Sequence, residues 1–145
     1  MTKDAPDDLI RRVLTEARTI AVVGASPNPA RPSFYVARFL AERGYDVIPI
    51  NPGQAGGEID GRTVYARLAD VPRPIDLVDV FRASEHLASV VDEVLALDPR
   101  PRALWTQLDV RDDAATARAE AAGLDVVVDR CPKMQIPRLR IPPRG

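Results

Sequence analysis

The chain has 145 residues, nearly half of them hydrophobic, and carries 20 basic against 21 acidic side chains. That length suits about one domain with a core of its own, and the balanced charge excludes the broad basic surface that nucleic-acid binding needs. A single cysteine and a single histidine exclude an internal disulfide and a Cys/His metal centre, and no apolar run approaches the ~20 residues of a membrane span.

Met1 to Asp8 is polar and acidic, without the apolar core of a secretory signal, so a cytoplasmic protein is expected. Pro6, Asp7 and Asp8 start a helix within the N-terminal segment 1–18, with Leu9, Ile10, Val13, Leu14 and Ala17 on one face. A first strand over Thr19 to Val23 runs into the loop Gly24-Ala25-Ser26-Pro27-Asn28-Pro29-Ala30-Arg31-Pro32, and Ser33 opens a helix that reaches Arg43, with Gly44 as its C-terminal cap. The second strand is Asp46 to Ile50, ended by the turn residues Asn51-Pro52-Gly53. A glycine-rich loop, Gly53 to Gly61, leads to a minor strand or turn at Val64 and Tyr65. Ile75 to Phe81 is too apolar to be half exposed and reads as a central strand. From Ser84, the residues Leu87, Val90, Val91, Val94 and Leu95 repeat at helical spacing until Pro99 and Pro101 forbid continuation. A fourth strand, Ala103 to Thr106, an alanine-rich helix over Asp112 to Ala122 capped by Gly123, and a fifth strand, Leu124 to Val128, follow. The remainder, rich in proline and basic residues, is expected to be extended and irregular, with 132–145 as a tail that wraps its own domain or a neighbour.

This alternation predicts an α/β fold: a Rossmann-like, doubly wound parallel sheet of about five strands with helices on both faces, residues 1–145 forming a single domain. Ligands of such sheets bind outside the carboxyl ends of the strands. The loop from Gly24 to Ser33 joins a strand end to a helix N-terminus, where free N–H groups and the helix dipole favour an anion. A nicotinamide or flavin dinucleotide requires G-x-G-x-x-G and an acidic residue ending the second strand. Here Gly24 is followed by Ala25-Ser26-Pro27-Asn28-Pro29, and the second strand ends in Asn51, so both signatures are missing.

A different set of linked segments stands at the strand ends: Val23-Gly24-Ala25-Ser26-Pro27-Asn28-Pro29 with Arg31 and Ser33, then Pro49-Ile50-Asn51-Pro52, Asp79-Val80-Phe81-Arg82, Trp105-Thr106-Gln107-Leu108, and Asp129-Arg130-Cys131-Pro132-Lys133. In this order they resemble the small single-domain CoA-binding proteins, whose fold is similar to the CoA-binding domain of the succinyl-CoA synthetase alpha subunit. The resemblance runs from Ile20 to about Leu139. It implies CoA or an acyl-CoA as the small-molecule ligand. Gly24, Ser26, Asn28, Arg31 and Ser33 would hold the pyrophosphate, Asn51 and Pro52 would border the adenosine 3′-phosphate, and Phe81 and Arg82 would line the adenine pocket. Gln107 and the Cys131-Pro132 turn would lie towards the pantetheine arm. The chain departs from the synthetase pattern at Gly53-Gln54, where a basic residue is usual near the 3′-phosphate, and at Asp109, where relatives carry glycine.

Trp105 reads as packing, because a large aromatic in a short strand is usually buried. Cys131 has no histidine near it in sequence to act as a base, and His86 stands off the apolar stripe of its helix. No acid, base and nucleophile set accompanies the phosphate loop, so the leading reading is a CoA-binding domain without catalysis of its own. The alternatives are an NAD(P)-dependent oxidoreductase with an atypical loop, and a CoA-sensing interaction module whose basic tail contacts a second copy or another protein.

Overall fold

Helix α1 (Asp7–Glu16) begins after Pro6, with Asp7 and Asp8 in its positive first turn and Ile10, Val13 and Leu14 on its buried face. The computed structural model describes residues 5–144, so the polar Met1 to Asp4 segment lies outside the described residues. Five strands, β1 (Thr19–Val23), β2 (Asp46–Ile50), β5 (Leu77–Val80), β6 (Ala103–Thr106) and β7 (Asp125–Val127), form one sheet in the order β2-β1-β5-β6-β7. Every pairing is parallel. The order reverses beside β1, so the switch point at which such sheets take ligands lies between β1 and β5.

Alternation along each strand divides the core in two. Ile20, Val22, Leu77 and Trp105 pack under α1, α2 (Pro32–Glu42) and α5 (Pro132–Arg138). Ala21, Val23, Val78, Val80 and Leu104 pack under α3 (Leu87–Ala96) and α4 (Asp113–Ala121). β5 and β6 are buried at every position, the result of helices on both faces. The edge strand β2 tolerates Pro49, which has no N–H to donate but whose carbonyl accepts from Tyr65 N at 3.1 Å.

The glycine-rich connection after β2 is more structured than the sequence suggests. Asn51 caps a 3₁₀ turn over Pro52–Gln54, and β3 (Glu58–Ile59) pairs antiparallel with β4 (Arg62–Thr63). Tyr65 then forms a parallel bridge with Ile50, which returns the chain to the carboxyl edge of the sheet. The third long helix opens as a 3₁₀ turn, Ser84–His86, ahead of α3.

The expectation of an extended tail over 132–145 fails for Pro132–Arg138, which is helix α5. Pro132 sits in the first turn, where its missing N–H is not needed, and Pro137 falls in the last turn, too late to break the helix. Ile136, Leu139 and Ile141 are buried, so this segment packs against its own sheet. Arg11 and Arg43 donate to the carbonyls of Leu139 and Ile141 at 2.7 and 2.6 Å, and Arg138 pairs with Asp7 at 2.7 Å. Among the described residues, no helix is long and apolar enough to cross a membrane.

Candidate functional site

β1 hands the chain to the loop at Gly24, whose φ of +88° suits glycine. A Cβ there would stand 3.0 Å from Arg82 Cγ and 3.3 Å from the Arg82 nitrogen and the Phe81 carbonyl carbon. The N–H groups of Gly24 and Ala25 both donate to the Ile50 carbonyl, at 3.1 and 3.2 Å. Asn51 Nδ2 donates to the Ala25 carbonyl at 2.7 Å, and its Oδ1 accepts from Gly53 N at 2.8 Å. Both ends of the Asn51 amide are therefore engaged: one ties the loop after β1 to the loop after β2, and the other caps the Pro52–Gln54 turn. Farther on, Ser26 Oγ accepts from Asn28 N, and Asn28 Oδ1 accepts from Ala30 N, at 3.1 and 3.0 Å. These short side-chain turns carry the backbone to Arg31, the residue that precedes α2. Ser33, in the first turn, has no acceptor four residues back inside the helix, so its N–H is available to a ligand.

Two clefts meet at Gly24 and Asn51. One, about 430 Å³, is lined by Gly24, Ser26, Arg31, Ser33, Phe81, Gln107 and Leu108 among others. The second, about 300 Å³, lies on the β2 side and is lined by Gly24, Asn51, Pro52, Arg67, Arg82 and Glu93 among others. The loops after β1, β2, β5 and β6 thus bring together nine of the sequence-predicted residues: Gly24, Ser26, Arg31, Ser33, Asn51, Pro52, Phe81, Arg82 and Gln107. Asn28 lies in the same loop but is exposed and lines neither cleft, where it shapes the turn. Cys131 also lines neither: it is only 6% exposed, in the core with Trp105 and Ile136, because it precedes α5 where that helix docks.

Arg67 is the residue that the sequence reading missed. The β3–β4 hairpin and the Tyr65–Ile50 bridge fold it back over the second cleft, on the side where Gly53-Gln54 supplies no cation. Its guanidinium pairs with Asp70 at 3.1 Å and remains mostly exposed. Nothing local in the sequence marks it; a signal was available only from the strand-forming pair Val64 and Tyr65, which returns the chain to the sheet edge. Glu93 adds a carboxylate to the same cleft, with one oxygen accepting from Leu68 N at 3.4 Å.

Asp109 has a left-handed φ of +67°, the conformation that a glycine would meet without strain. Its N–H donates to Asp129 Oδ1 at 2.6 Å, and Arg111 approaches the other oxygen at 3.2 Å. The Asp109 N–H and then the Arg111 guanidinium hold the Asp129 carboxyl below the usual carboxylate range. Trp105 is wholly buried and donates its indole N–H to the Arg130 carbonyl at 2.7 Å. Asp79, also wholly buried, has a carboxyl pushed well up by loss of solvent. Among the described residues, no group of three or more His, Cys, Asp or Glu side chains could hold a metal ion.

The family described as CoA binding domain matches residues 18–137. The chain is 34% identical over 125 residues to the protein YneT of Bacillus subtilis, covering 86% of this chain and 90% of that one. It is 27% identical over 84 residues to the alpha subunit of the ADP-forming acetate–CoA ligase I of Pyrococcus furiosus, covering 55% of this chain and 18% of that subunit. The solved structure of cell-free ID.343 from Thermus thermophilus superimposes with a TM-score of 0.87 at 41% identity, over 93% of this chain and 99% of that one. With the family match spanning most of the chain, this protein belongs to the CoA binding domain family.

Proposed function

We propose that the chain binds CoA or an acyl-CoA across the two clefts that meet at Gly24. The pyrophosphate lies against the Gly24 to Ser33 loop, where the Ser33 N–H, the Ser26 hydroxyl and the Arg31 guanidinium give charge-assisted hydrogen bonds at the positive end of α2. The adenosine end enters the β2-side cleft, between Arg82 and Arg67, and the 3′-phosphate meets the Arg67 guanidinium. The pantetheine arm follows the larger cleft past Phe81 and Gln107 towards Leu108. The observation that carries this reading is the junction of two clefts on a glycine too crowded for a side chain, with arginines at positions 31, 67 and 82 around it.

The protein acts as a binder without catalysis of its own, since among the described residues lining the two clefts no base is paired with a nucleophile. A dinucleotide reading is disfavoured by Asn51, which stands where a ribose-binding acid is required and has both ends of its amide engaged. Isothermal titration with CoA, dephospho-CoA and NAD tests the proposal. The expected ranking is CoA tighter than dephospho-CoA, with NAD weakest; a dissociation constant for CoA weaker than ~1 mM would overturn it.

A further inference from the structure

Three buried oxygens near the larger cleft have no hydrogen-bond donor: Asp79 Oδ1, Asp79 Oδ2 and Gln107 Oε1. Gln107 lines the cleft and is only 7% exposed, whereas Asp79 is sealed beneath. Val78 and Val80 point into the core under α3 and α4, so alternation turns Asp79 to the opposite face. Asp79 is in register with Trp105, and alternation continued one residue past β6 would put Gln107 on the Trp105 face. The Gln107 N–H donates to the Val80 carbonyl at 3.0 Å, which continues the ladder past the end of β6. Strand spacing and rise then set the Cα atoms of Asp79 and Gln107 about 8 Å apart, a gap that a carboxyl and a carboxamide side chain can bridge.

We propose that Asp79 is a neutral carboxylic acid whose O–H donates to Gln107 Oε1, and that this bond turns the Gln107 Nε2 hydrogens into the cleft, making Asp79 a positioning residue for the ligand. One proton supplies the missing donor for Gln107 and removes the charge from Asp79. Burial raises the Asp79 pKa, the direction this arrangement needs. Among the described residues no charged group offsets the burial of Asp79, and the core side chains of the packed elements are apolar: α1 presents Ile10, Val13 and Leu14, α2 presents Val36 and Leu40, and α5 presents Ile136. The titratable groups in that core are Cys131 and Tyr45, and the Tyr45 hydroxyl donates to the Leu14 carbonyl. An ionised Asp79 would instead draw the Gln107 N–H groups inward and leave an acceptor facing the cleft. The ligand group opposite Gln107 is therefore a hydrogen-bond acceptor, such as a pantetheine amide carbonyl or a thioester oxygen. That last step rests on the CoA reading above; the Asp79–Gln107 bond does not.

Infrared spectroscopy and calorimetry on the purified full chain test the two parts separately. At neutral pH the wild type should show a protonated carboxyl C=O band that disappears in Asp79→Asn and moves in Gln107→Leu. Absence of the band, or a band unmoved by Gln107→Leu, would overturn the proposal. In CoA titrations, Asp79→Asn, whose amide can also donate, should keep affinity within about twofold. Asp79→Val and Gln107→Leu should each weaken binding about tenfold, and the double variant no further, because they remove one interaction. Additive losses would overturn the positioning role. A wild type that binds no CoA would overturn the ligand reading and the positioning role with it, while a band that still moves would support the bond itself.

Discussion

Gly24→Ala separates the two demands that the site makes on its first loop residue. A φ of +88° costs an L side chain about 1–2 kcal/mol. The added methyl would also meet Arg82 Cγ at 3.0 Å and two backbone atoms of Phe81 and Arg82 at 3.3 Å. The Arg82 side chain can swing away, but the backbone is pinned by the Phe81 N–H on the Val23 carbonyl at 2.8 Å, so crowding adds about 1–2 kcal/mol. The total is about 2–4 kcal/mol. With an unfolding entropy of ~2.1 cal/mol/K per residue, the chain loses about 0.3 kcal/mol per degree at its midpoint, so Tm should fall by about 7–13 °C. Gly56→Ala is the control, since Gly56 has the same φ with nothing within 4 Å of the added atom. It should show the backbone cost alone, about 3–7 °C. Thermal melts followed by circular dichroism measure both, and titration with CoA should find binding weakened only in the Gly24 variant. Equal melting shifts for the two variants, with CoA affinity unchanged in both, would refute the reasoning that Gly24 is fixed by close approach at the cleft junction.

Arg67→Ala should weaken CoA about five- to tenfold and leave dephospho-CoA unchanged, with the difference shrinking at high salt because the guanidinium is exposed; calorimetry at two ionic strengths reads it. Asp79→Asn should stabilise the protein in a pH-dependent way. A raised folded pKa means that the unfolded state releases its proton first, so the wild type loses stability as pH rises from 3.8 towards the folded value. Urea melts should coincide for variant and wild type below pH 3.8 and diverge above it, and parallel curves from pH 3 to 8 would contradict this. Ile141→Ala should cost about 2–4 kcal/mol by opening a cavity where the chain after α5 is buried, seen as a lower urea midpoint at unchanged slope.

The elements most legible in the sequence were those whose signals are local. Trp105 and Thr106 mark β6, and the glycines at 24, 44 and 123 all adopt the positive φ that a strand-to-helix turn or helix cap requires. Helix α5 was illegible because its prolines read as breakers, although Pro132 and Pro137 occupy the two ends of a helix where a proline does least harm. Arg67 was hidden for a different reason: it reaches the cleft through a hairpin whose strands are two residues each, too short for any periodic pattern. Cys131 and Asp79 show the converse limit. Both sit in segments that resemble ligand-binding motifs, yet their side chains are buried: Asp79 by alternation within β5, and Cys131 because it lies beyond the end of β7, where no ladder pairing fixes its face and the docking of α5 decides it.

The double acceptance by the Ile50 carbonyl, together with Asn51 on Ala25, means that the loop after β1 is shaped from outside by β2. The entropy of ordering that loop is lost when the sheet forms, and little remains to be lost when a ligand arrives. The same arrangement makes the site depend on an edge strand. Strand β2 has a sheet neighbour only in β1 along most of its length, and edge elements open at lower free energy than central ones. Fraying of β2 would release the Ile50 carbonyl, unlock the loop and lower affinity without any change in the residues that touch the ligand.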